Sequence, residues 1–303
     1  GLIGYGGTDS KIQNLTISDS LIHAESTGNY GKYVGAFAGE IFDLENCHTT
    51  DTVQVYGMQH VGGLAGYLDG TASRCSNRAS VTAEKTYVGG LFGDVYSQSS
   101  TAVVQSYNAG AVTGTNLVGG LAGTLYNGGT MADVYNTGSV TATGGLVGGF
   151  VGELRYGSLK NAYQAGTVSG TTVGSVAGRL DFSRGQKNLD NLYVRNDGYN
   201  DIGNLNSCTA PDGKAQEKTE EELKALASSL GDSFAEDATG LNGGYPILVW
   251  QKSGSDEPED PDAPASDPGQ WDGKTKTQPS QTGGVYQIGS AAELKWFADA
   301  VKS

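Results

Sequence analysis

Three carboxylates stand where they could take part in catalysis, since Asp94, Glu153 and Asp181 each follow a copy of a repeated glycine-rich segment. In enzymes that cleave glycosidic bonds, two carboxyl groups flank the bond and act as acid and base, or as acid and nucleophile. The three residues follow their segments at similar but unequal offsets, so they do not mark one recurring position. We interpret them as scattered, solvated carboxylates, and the sequence predicts no catalytic residue.

Four tyrosines also follow copies of the repeated segment: Tyr67, Tyr96, Tyr126 and Tyr156. A row of aromatic rings on the surface could bind a glycan or a protein, because a tyrosine offers an apolar ring and a polar hydroxyl together. The same residues could instead pack in the core or at its edge. Packing is the interpretation we prefer, and the binding row stays open as the alternative.

Metal and cofactor chemistry has little support in the sequence. The three histidines are His23, His48 and His60. None belongs to a His-Glu-x-x-His motif, which would place two zinc ligands one helical turn apart. The cysteines Cys47, Cys75 and Cys208 contain no Cys-x-x-Cys pair. The sequence therefore predicts no metal site and no cofactor. Cys47 and Cys75 are expected in neighbouring repeats, as two buried thiols or, alternatively, as a disulfide.

The charge of the chain argues against two classes of partner. The formal net charge is -14, from 19 basic and 33 acidic residues. A nucleic-acid-binding protein needs a basic footprint, and an anionic membrane surface attracts basic segments. No apolar run is long enough to span a bilayer. We therefore expect neither nucleic-acid binding nor membrane insertion by this segment.

The glycine-rich segment organises the chain. It reads VGGLAG from Val61, VGGLFG from Val88 and VGGFVG from Val147. The six opening valines stand at positions 34, 61, 88, 118, 147 and 173, so the intervals run from 26 to 30 residues. A fixed period in this range is typical of a solenoid or another repeat array. The first four residues are the back half of a further copy, so we expect the chain to be part of a longer protein.

The second half of each repeat favours strands and turns. It reads, for example, QSYNAGAVTG and DVYNTGSVT, which are rich in Val, Thr, Tyr and Gly. About three short strands in some 27 residues predict one coil of a parallel β-solenoid, and the chain would hold about seven coils. The core would contain stacked columns of Leu/Phe, Val and Tyr. The predicted tyrosine column is Leu15, Cys47, Cys75, Tyr107, Tyr135, Tyr163 and Tyr193.

Ten residues of the glycine-rich segments are expected to define the repeat. They are Gly35, Gly62, Gly89, Gly119, Gly148, Gly174, Leu64, Leu91, Leu121 and Phe150. Strict alternation along a strand would place Val61 and Leu64 on opposite faces. Glycine tolerates a bulge or a bend, so we expect the paired glycines to turn the chain until both apolar residues point inward.

The chain is predicted to be mainly β and to fall into four parts. They are a solenoid over residues 1–204, a small α+β cap over 205–252, an acidic Pro/Ser/Gly linker over 253–282 and the start of a following module over 283–303. In the cap, Thr219 and Glu222 form a capping-box signature for a helix. Its apolar stripe is Leu223, Leu226, Ala227 and Leu230. An apolar strand within 241–251 would complete a cap over the open end of the solenoid, where strand edges would otherwise be exposed.

The last part should contain a strand and an amphipathic helix over residues 290–301. The apolar stripe of that helix is Leu294, Phe297 and Val301. A helix this short is marginal alone, so we expect it to pack on a following module, on the first coil or on another copy of the chain.

The segments VGGLAG and VGGLFG, followed by YNTGSV or YNAGAV, resemble the GLUG-motif repeat of large bacterial surface proteins. That repeat also occurs in IgA-specific metallopeptidases of Gram-positive bacteria, outside their catalytic domain. The resemblance covers nearly the whole chain, and it implies an exported, surface-attached protein in which this block is one of several modules. The zinc motif of those peptidases is absent here, so we expect no peptidase activity.

Together these features predict a non-enzymatic stalk and adhesion module, located outside the cell on a bacterial surface. Its partner would be a host glycan, a host protein or another copy of itself. One alternative is a carbohydrate-active β-helix enzyme, which would need a groove with carboxylates within about 10 Å of each other. Another is a head-to-tail fibre, in which helix 290–301 covers the solenoid of the next copy.

Overall fold

A computed structural model describes residues 1–25, 32–97, 102–127, 129–181, 189–206, 213–253, 276–282, 285–287 and 291–300. The chain divides into two compact units, one running from Ile3 to Glu257 and a smaller one from Pro258 to Ser303. Most of the predicted linker, together with Cys208 and Val301, lies outside the described residues.

The larger unit is a parallel β-solenoid of about six coils, which confirms the predicted fold class. Three parallel sheets form its sides. In the described chain, the first sheet has sixteen strands: Ile3–Tyr5, Lys11–Ile17, Ala38–Thr49, Ala65–Ser73, Ser76–Asn77, Phe92–Tyr96, Val103–Val104, Tyr107–Asn108, Ala122–Tyr126, Thr130–Asn136, Val151–Leu154, Ser158–Gln164, Ala177–Leu180, Leu189–Arg195, Ile202–Asn204 and Ala215–Lys218.

The other two sheets are narrower. Within the described residues, the strands of the second sheet are Val61–Gly62, Thr86–Gly89, Asn116–Gly119, Leu146–Gly148 and Thr172–Gly174, and an isolated bridge from Val34 adds a sixth rung. Over the same part of the chain, the strands of the third sheet are Leu21–His23, Gln54–Gly57, Ser80–Ala83, Val112–Gly114, Val140–Ala142 and Val168–Ser169.

The glycine-rich segments stack in register from coil to coil. Val88 pairs with Val61 on one side and with Val118 on the other. Val61 and Leu64 are both fully buried, because the chain bends at residues 63–64, between a strand of the second sheet and one of the first. The apolar residues of the segments form one buried column inside the solenoid: Phe37, Leu64, Leu91, Leu121, Phe150 and Val176.

Each glycine of the segment makes room for a different neighbour. A Cβ on Gly62 would overlap the carbonyl oxygen of Ala65, and the first glycines pair in register at positions 62, 89, 119, 148 and 174. A Cβ on Gly63, the second glycine, would overlap the side chain of Asn77. The second glycines therefore face a column of buried amides, which was not predicted from the sequence.

These amides form a hydrogen-bonded ladder inside the solenoid. Thr49 Oγ1 donates to Asn77 Oδ1 at 2.6 Å, and Asn77 Nδ2 donates to Asn108 Oδ1 at 2.8 Å. Asn108 Nδ2 in turn donates to Asn136 Oδ1 at 2.8 Å. All four side chains are almost completely buried. Buried polar groups are costly unless they are paired, so the ladder ties the register of each coil to the next.

The predicted alignment of the first coils with the tyrosine column was wrong by one residue. Ser76, not Cys75, pairs with Tyr107. Cys75 therefore lies in line with Ser106, and Cys47 lies beside Cys75 in the neighbouring coil. A shift of one residue moves a side chain to the other face of the strand. Cys47 and Cys75 are consequently free thiols that face the solenoid core, whereas Tyr107 faces outward. Burial in the core raises the pKa of Cys47.

The later tyrosines do share one column, as predicted. Tyr107 pairs with Tyr135, Tyr135 with Tyr163 and Tyr163 with Tyr193. Leu15 pairs with Cys47 and so belongs to the cysteine column instead. We call Tyr107, Tyr135, Tyr163 and Tyr193 the covered ladder, because a second apolar cluster packs on it from outside the solenoid.

The predicted cap provides this cover, but it lies along the side of the solenoid and not over its open end. The strand Ala215–Lys218 does continue the stack beyond Leu189–Arg195. The residues after it, 219–253, instead run back along the side of the solenoid, and we call them the side cap. Tyr163 Oη donates to the Pro246 carbonyl at 2.5 Å, and Trp250 Nε1 donates to the Gln105 carbonyl at 3.0 Å. The side cap therefore covers the tyrosine face.

The secondary structure of the side cap is shorter than predicted. The capping box of Thr219 and Glu222 is present, but the expected helix divides into Glu220–Lys224 and Ala227–Leu230. The predicted apolar strand shrinks to Ile247–Leu248, paired with Phe234–Ala235, and a 3₁₀ helix, Val249–Ser253, follows. The division lets the leucines of both helical pieces reach the covered ladder.

The smaller unit contains a hairpin and a helix among its described residues. Ser280–Thr282 pairs antiparallel with Val285–Gln287, and the helix is Ala291–Ala300. Leu294 and Phe297 lie on it and are half-buried. Its role in assembly stays a prediction.

Candidate functional site

The candidate functional surface is the outer surface of the first sheet, over its strands from Ala38–Thr49 to Ala177–Leu180. Residues of these strands alternate between the core and the outside. Leu68, Val95 and Leu125 point into the core and are fully buried. Their neighbours point outward, and one outward column pairs in register from coil to coil: Glu40, Tyr67, Asp94, Thr124, Glu153 and Arg179.

Four tyrosines on this surface form a continuous row of rings, although not a single register column. Tyr96 pairs with Tyr126, whereas Tyr67 pairs with Asp94. The ring centroids of Tyr67 and Tyr96 are 6.3 Å apart, those of Tyr96 and Tyr126 5.1 Å, and those of Tyr126 and Tyr156 6.3 Å. All four rings are half-buried. We call this row the open ladder and the surface around it the open face.

A histidine joins the row at its edge. The His60 ring stacks on Tyr87 with centroids 4.7 Å apart and also approaches Tyr33 at 5.0 Å. Its Nδ1 forms a close hydrogen bond with the Asp94 carboxylate. His60 and Tyr87 both have φ in the left-handed region, at 52° and 64°. Leu117, at the equivalent position of the next coil, does so too, whereas Leu146 and Thr172 do not, so this conformation is shared by three successive coils.

Two side chains in the outward column are buried and incompletely bonded. Glu153 is 1% exposed, and its Oε1 accepts from Arg179 Nε at 3.1 Å and from Arg179 Nη2 at 2.7 Å. Its Oε2 has no hydrogen-bond partner. Thr124 pairs with Glu153 in the adjacent coil, and its Oγ1 has no partner either.

Burial and nearby carboxylates shift the pKa values of the groups at one end of the face. Burial, followed by repulsion from Asp69, raises the pKa of Glu40, and burial raises that of Asp69. Burial and the same carboxylates raise the pKa of Tyr67, so its hydroxyl stays protonated. Burial, then the charges of Glu153 and Asp94, raise the pKa of Tyr87.

The three carboxylates considered from the sequence are not equivalent. Asp94 and Glu153 lie in one column, two coils apart, which is about 9.6 Å between backbones at the usual strand spacing. Asp181 lies beside this column, two residues after Arg179, and faces Arg155, with 3.5 Å between Oδ2 and Nη2. Asp94 and Glu153 are each held by a basic partner. Neither residue lines the depression around Thr130, Leu159 and Leu189 or the one around Arg195, Lys218 and Leu223.

No group of three or more His, Cys, Asp or Glu side chains among the described residues is placed to hold a metal ion. No helix of the described chain is long and apolar enough to cross a membrane.

Three residues of the open face, His60, Thr124 and Arg179, were not predicted from the sequence. A signal for the outward column was present, because each of its members is the sixth residue after an opening valine: residues 40, 67, 94, 124, 153 and 179 follow valines 34, 61, 88, 118, 147 and 173. All six are polar or aromatic. The pairing of His60 with Asp94 had no such signal, since it joins residues 34 positions apart in neighbouring coils.

Comparison with known proteins shows the fold and goes no further. No protein-family model matches the chain, and no curated protein matches it. The crystal structure of a putative immunoglobulin A1 protease from Bacteroides ovatus is similar, with a TM-score of 0.61 and 22% sequence identity. The similarity covers 82% of this chain and 80% of that one. The resemblance to GLUG-motif repeats therefore rests on the motif residues alone.

Proposed function

We propose that this chain is a non-enzymatic stalk and adhesion module of an exported bacterial surface protein, and that it binds its partner through the open face. The observation that carries this proposal is the open ladder, a row of half-exposed tyrosine rings along successive coils. Surface aromatic residues are enriched where proteins bind ligands and partners.

Two further observations support the proposal. The solenoid is a stack of coils whose strands pair in register, so it spaces its ends and aligns outward side chains in columns along one side. The motif residues resemble those of bacterial surface repeats, and the structural relative with this fold also comes from a bacterium. Location outside the cell is part of the proposal and follows from the resemblance.

The test is a binding screen of the purified chain on arrays of glycans and host proteins. The variant is Tyr96→Ala/Tyr126→Ala, which removes the two central rings of the open ladder. The matched control is Tyr56→Ala, whose ring lies on the third sheet beside Glu84. We expect a partner that the wild type and the control bind and that the double variant binds at least about tenfold more weakly. Equal binding by the double variant would refute the role of the open face.

A second candidate, a carbohydrate-active enzyme, is favoured by one observation. Glu153 is a buried carboxylate with one unpaired oxygen, and Asp94 lies in the same column about 9.6 Å away. In inverting glycosidases the two carboxyl groups are about 6.5–9.5 Å apart, so this candidate requires the carboxyl groups to lie closer together than the backbones do. Release of reducing ends from oligosaccharides, lost in Glu153→Gln and in Asp94→Asn, would favour this candidate over the adhesion module.

A further inference from the structure

The open face contains two neighbouring polar atoms that lack partners. Oγ1 of Thr124 and Oε2 of Glu153 belong to side chains that are 6% and 1% exposed, and the two residues pair directly across adjacent coils. Buried hydroxyl and carboxylate oxygens almost always have a hydrogen-bond partner in folded proteins. Two such atoms on consecutive rungs therefore indicate a position where another group binds.

The chemistry of the two atoms limits what can bind them. An ionised carboxylate offers only acceptors, so Glu153 Oε2 needs a donor, while Oε1 already accepts twice from Arg179. The Thr124 hydroxyl can donate one hydrogen bond and can also accept. A hydroxyl between them can donate to the glutamate and accept from the threonine through a single oxygen. A carbonyl cannot satisfy the glutamate, because it only accepts, and a single peptide N–H would have to be shared between the two oxygens.

The surroundings of the two atoms suit a sugar. Tyr126 lies two residues after Thr124 on the same strand, and its ring contacts Tyr96. Binding sites for small ligands combine aromatic walls with a few polar groups that fix orientation, and sugar rings present C–H surfaces next to their hydroxyls.

The charges around the step disfavour an anionic ligand. Asp94 is paired with His60, Glu153 with Arg179 and Arg155 with Asp181. Neither arginine of these pairs is left over for an anion, and the whole chain carries a formal charge of -14. Anionic polymers would be repelled by this field.

We propose that the step between Thr124 and Glu153 is a saccharide subsite, where one hydroxyl of a neutral sugar donates to Glu153 Oε2 and accepts from Thr124 Oγ1. Tyr96 and Tyr126 pack beside the sugar. This inference rests on the proposed function, because it names the ligand class of the same open face.

The test is Thr124→Val, which removes the hydroxyl and keeps the shape of the side chain. The probes are neutral gluco-, galacto- and manno-oligosaccharides, with affinity measured by calorimetry and the melting temperature measured in parallel. We expect the variant to bind about 10- to 100-fold more weakly and to melt no lower than the wild type, because the lost hydroxyl has no partner in the free protein. Thr124→Ser should keep most of the affinity. The matched control is Thr113→Val, on a strand of the third sheet.

The outcomes separate this inference from the proposed function. If Thr124→Val binds sugars as the wild type does, the step holds a structural water only and the subsite is refuted. The proposed binding role of the open face would still stand in that case, provided that Tyr96→Ala/Tyr126→Ala loses binding. If the wild type binds host proteins and no saccharide, the subsite is also refuted and adhesion stands. If it binds nothing on either array, both proposals fail.

Discussion

Two rows of tyrosine rings follow the same solenoid, and they differ in what lies over them. In the covered ladder, the rings of Tyr107 and Tyr135 are 4.6 Å apart with 5° between their planes, and those of Tyr135 and Tyr163 are 5.0 Å apart at 10°. In the open ladder, Tyr96 and Tyr126 are 5.1 Å apart, but their planes make an angle of 41°.

The difference shows what the coil spacing can and cannot impose. Parallel strands lie about 4.8 Å apart, and this spacing brings the rings of both rows into contact. In the covered ladder the side cap presses on the rings, and hydroxyls are bonded, as Tyr135 Oη is to Gln251 Oε1 at 3.0 Å. In the open ladder the angles between neighbouring rings are wider, from 20° to 51°, and the exposed parts of the rings stay available to a ligand.

The largest effect should follow from breaking the covered ladder. Tyr163 is fully buried between the solenoid and the side cap, and its hydroxyl binds the Pro246 carbonyl and Asn242 Nδ2. Tyr163→Ala should lower the free energy of unfolding by about 3–5 kcal/mol, because it leaves a cavity and unpaired polar groups. Urea denaturation followed by circular dichroism measures this loss.

Tyr163→Phe is the control for that experiment. It keeps the ring in the stack and removes only the hydroxyl, so we expect a loss of about 1 kcal/mol. A similar loss in both variants would mean that the stacking and the cover contribute little. In that case the contrast between the two ladders would have no energetic basis.

The next effect concerns the far end of the covered column. His48 lies in line with Ser76 and Tyr107, and its ring contacts Trp250 of the side cap, with centroids 5.4 Å apart. Burial, and to a lesser degree the charge of Arg78, lower the pKa of His48 to about 4. In the unfolded chain a histidine titrates near 6.5.

The sign of the pH dependence follows from these two values. Between pH 6.5 and 4 the unfolded chain binds a proton at His48 that the folded chain does not, so stability falls as the pH is lowered through this window. The contribution of neutral His48 is complete above about pH 6.5, and about 2–3 kcal/mol of it is lost by pH 4.5. Urea denaturation at pH 7 and pH 4.5 measures the loss.

His48→Gln should reduce this pH dependence by that amount, because it removes the titrating group. His23→Gln provides the control, since His23 is a half-exposed histidine on the first coil. A dependence unchanged in His48→Gln would show that the side cap does not shield His48 from protonation, and the covered column would then end nearer Tyr107.

The architecture could be predicted from the sequence because the glycine-rich segment recurs at a nearly constant period. The register of the second half could not, because the apolar pattern aligns Cys75 with Tyr107. Aligning the buried amides, Asn77 with Asn108, would have placed Ser76 opposite Tyr107, as the structure has it. Polar residues that must be satisfied inside a solenoid fix its register better than apolar ones, which tolerate exchange.

The candidate site was less predictable, for a physical reason. Its outward column can be found in the sequence, because each member is the sixth residue after an opening valine. The chemistry of the column, however, depends on which side chains pair. The spacing of the repeats does not show that Arg179 donates two hydrogen bonds to the same oxygen of Glu153. The position of the cap was also hidden, because its leucines would fit the end of a solenoid as well as its side.

The smallest effect on stability is expected from Tyr96→Ala in the open ladder. Tyr96 is half-buried and its ring has neighbours along the row, but it does not belong to the apolar cluster that the side cap covers. Truncation should therefore cost about 1 kcal/mol, the worth of its ring contacts. Denaturation beside Tyr163→Ala gives the comparison directly. A loss near that of Tyr163→Ala would make the open ladder part of the core, and weaker binding by its variants would then reflect misfolding. A small loss leaves the fold intact, so any binding that Tyr96→Ala removes can be assigned to the open face itself.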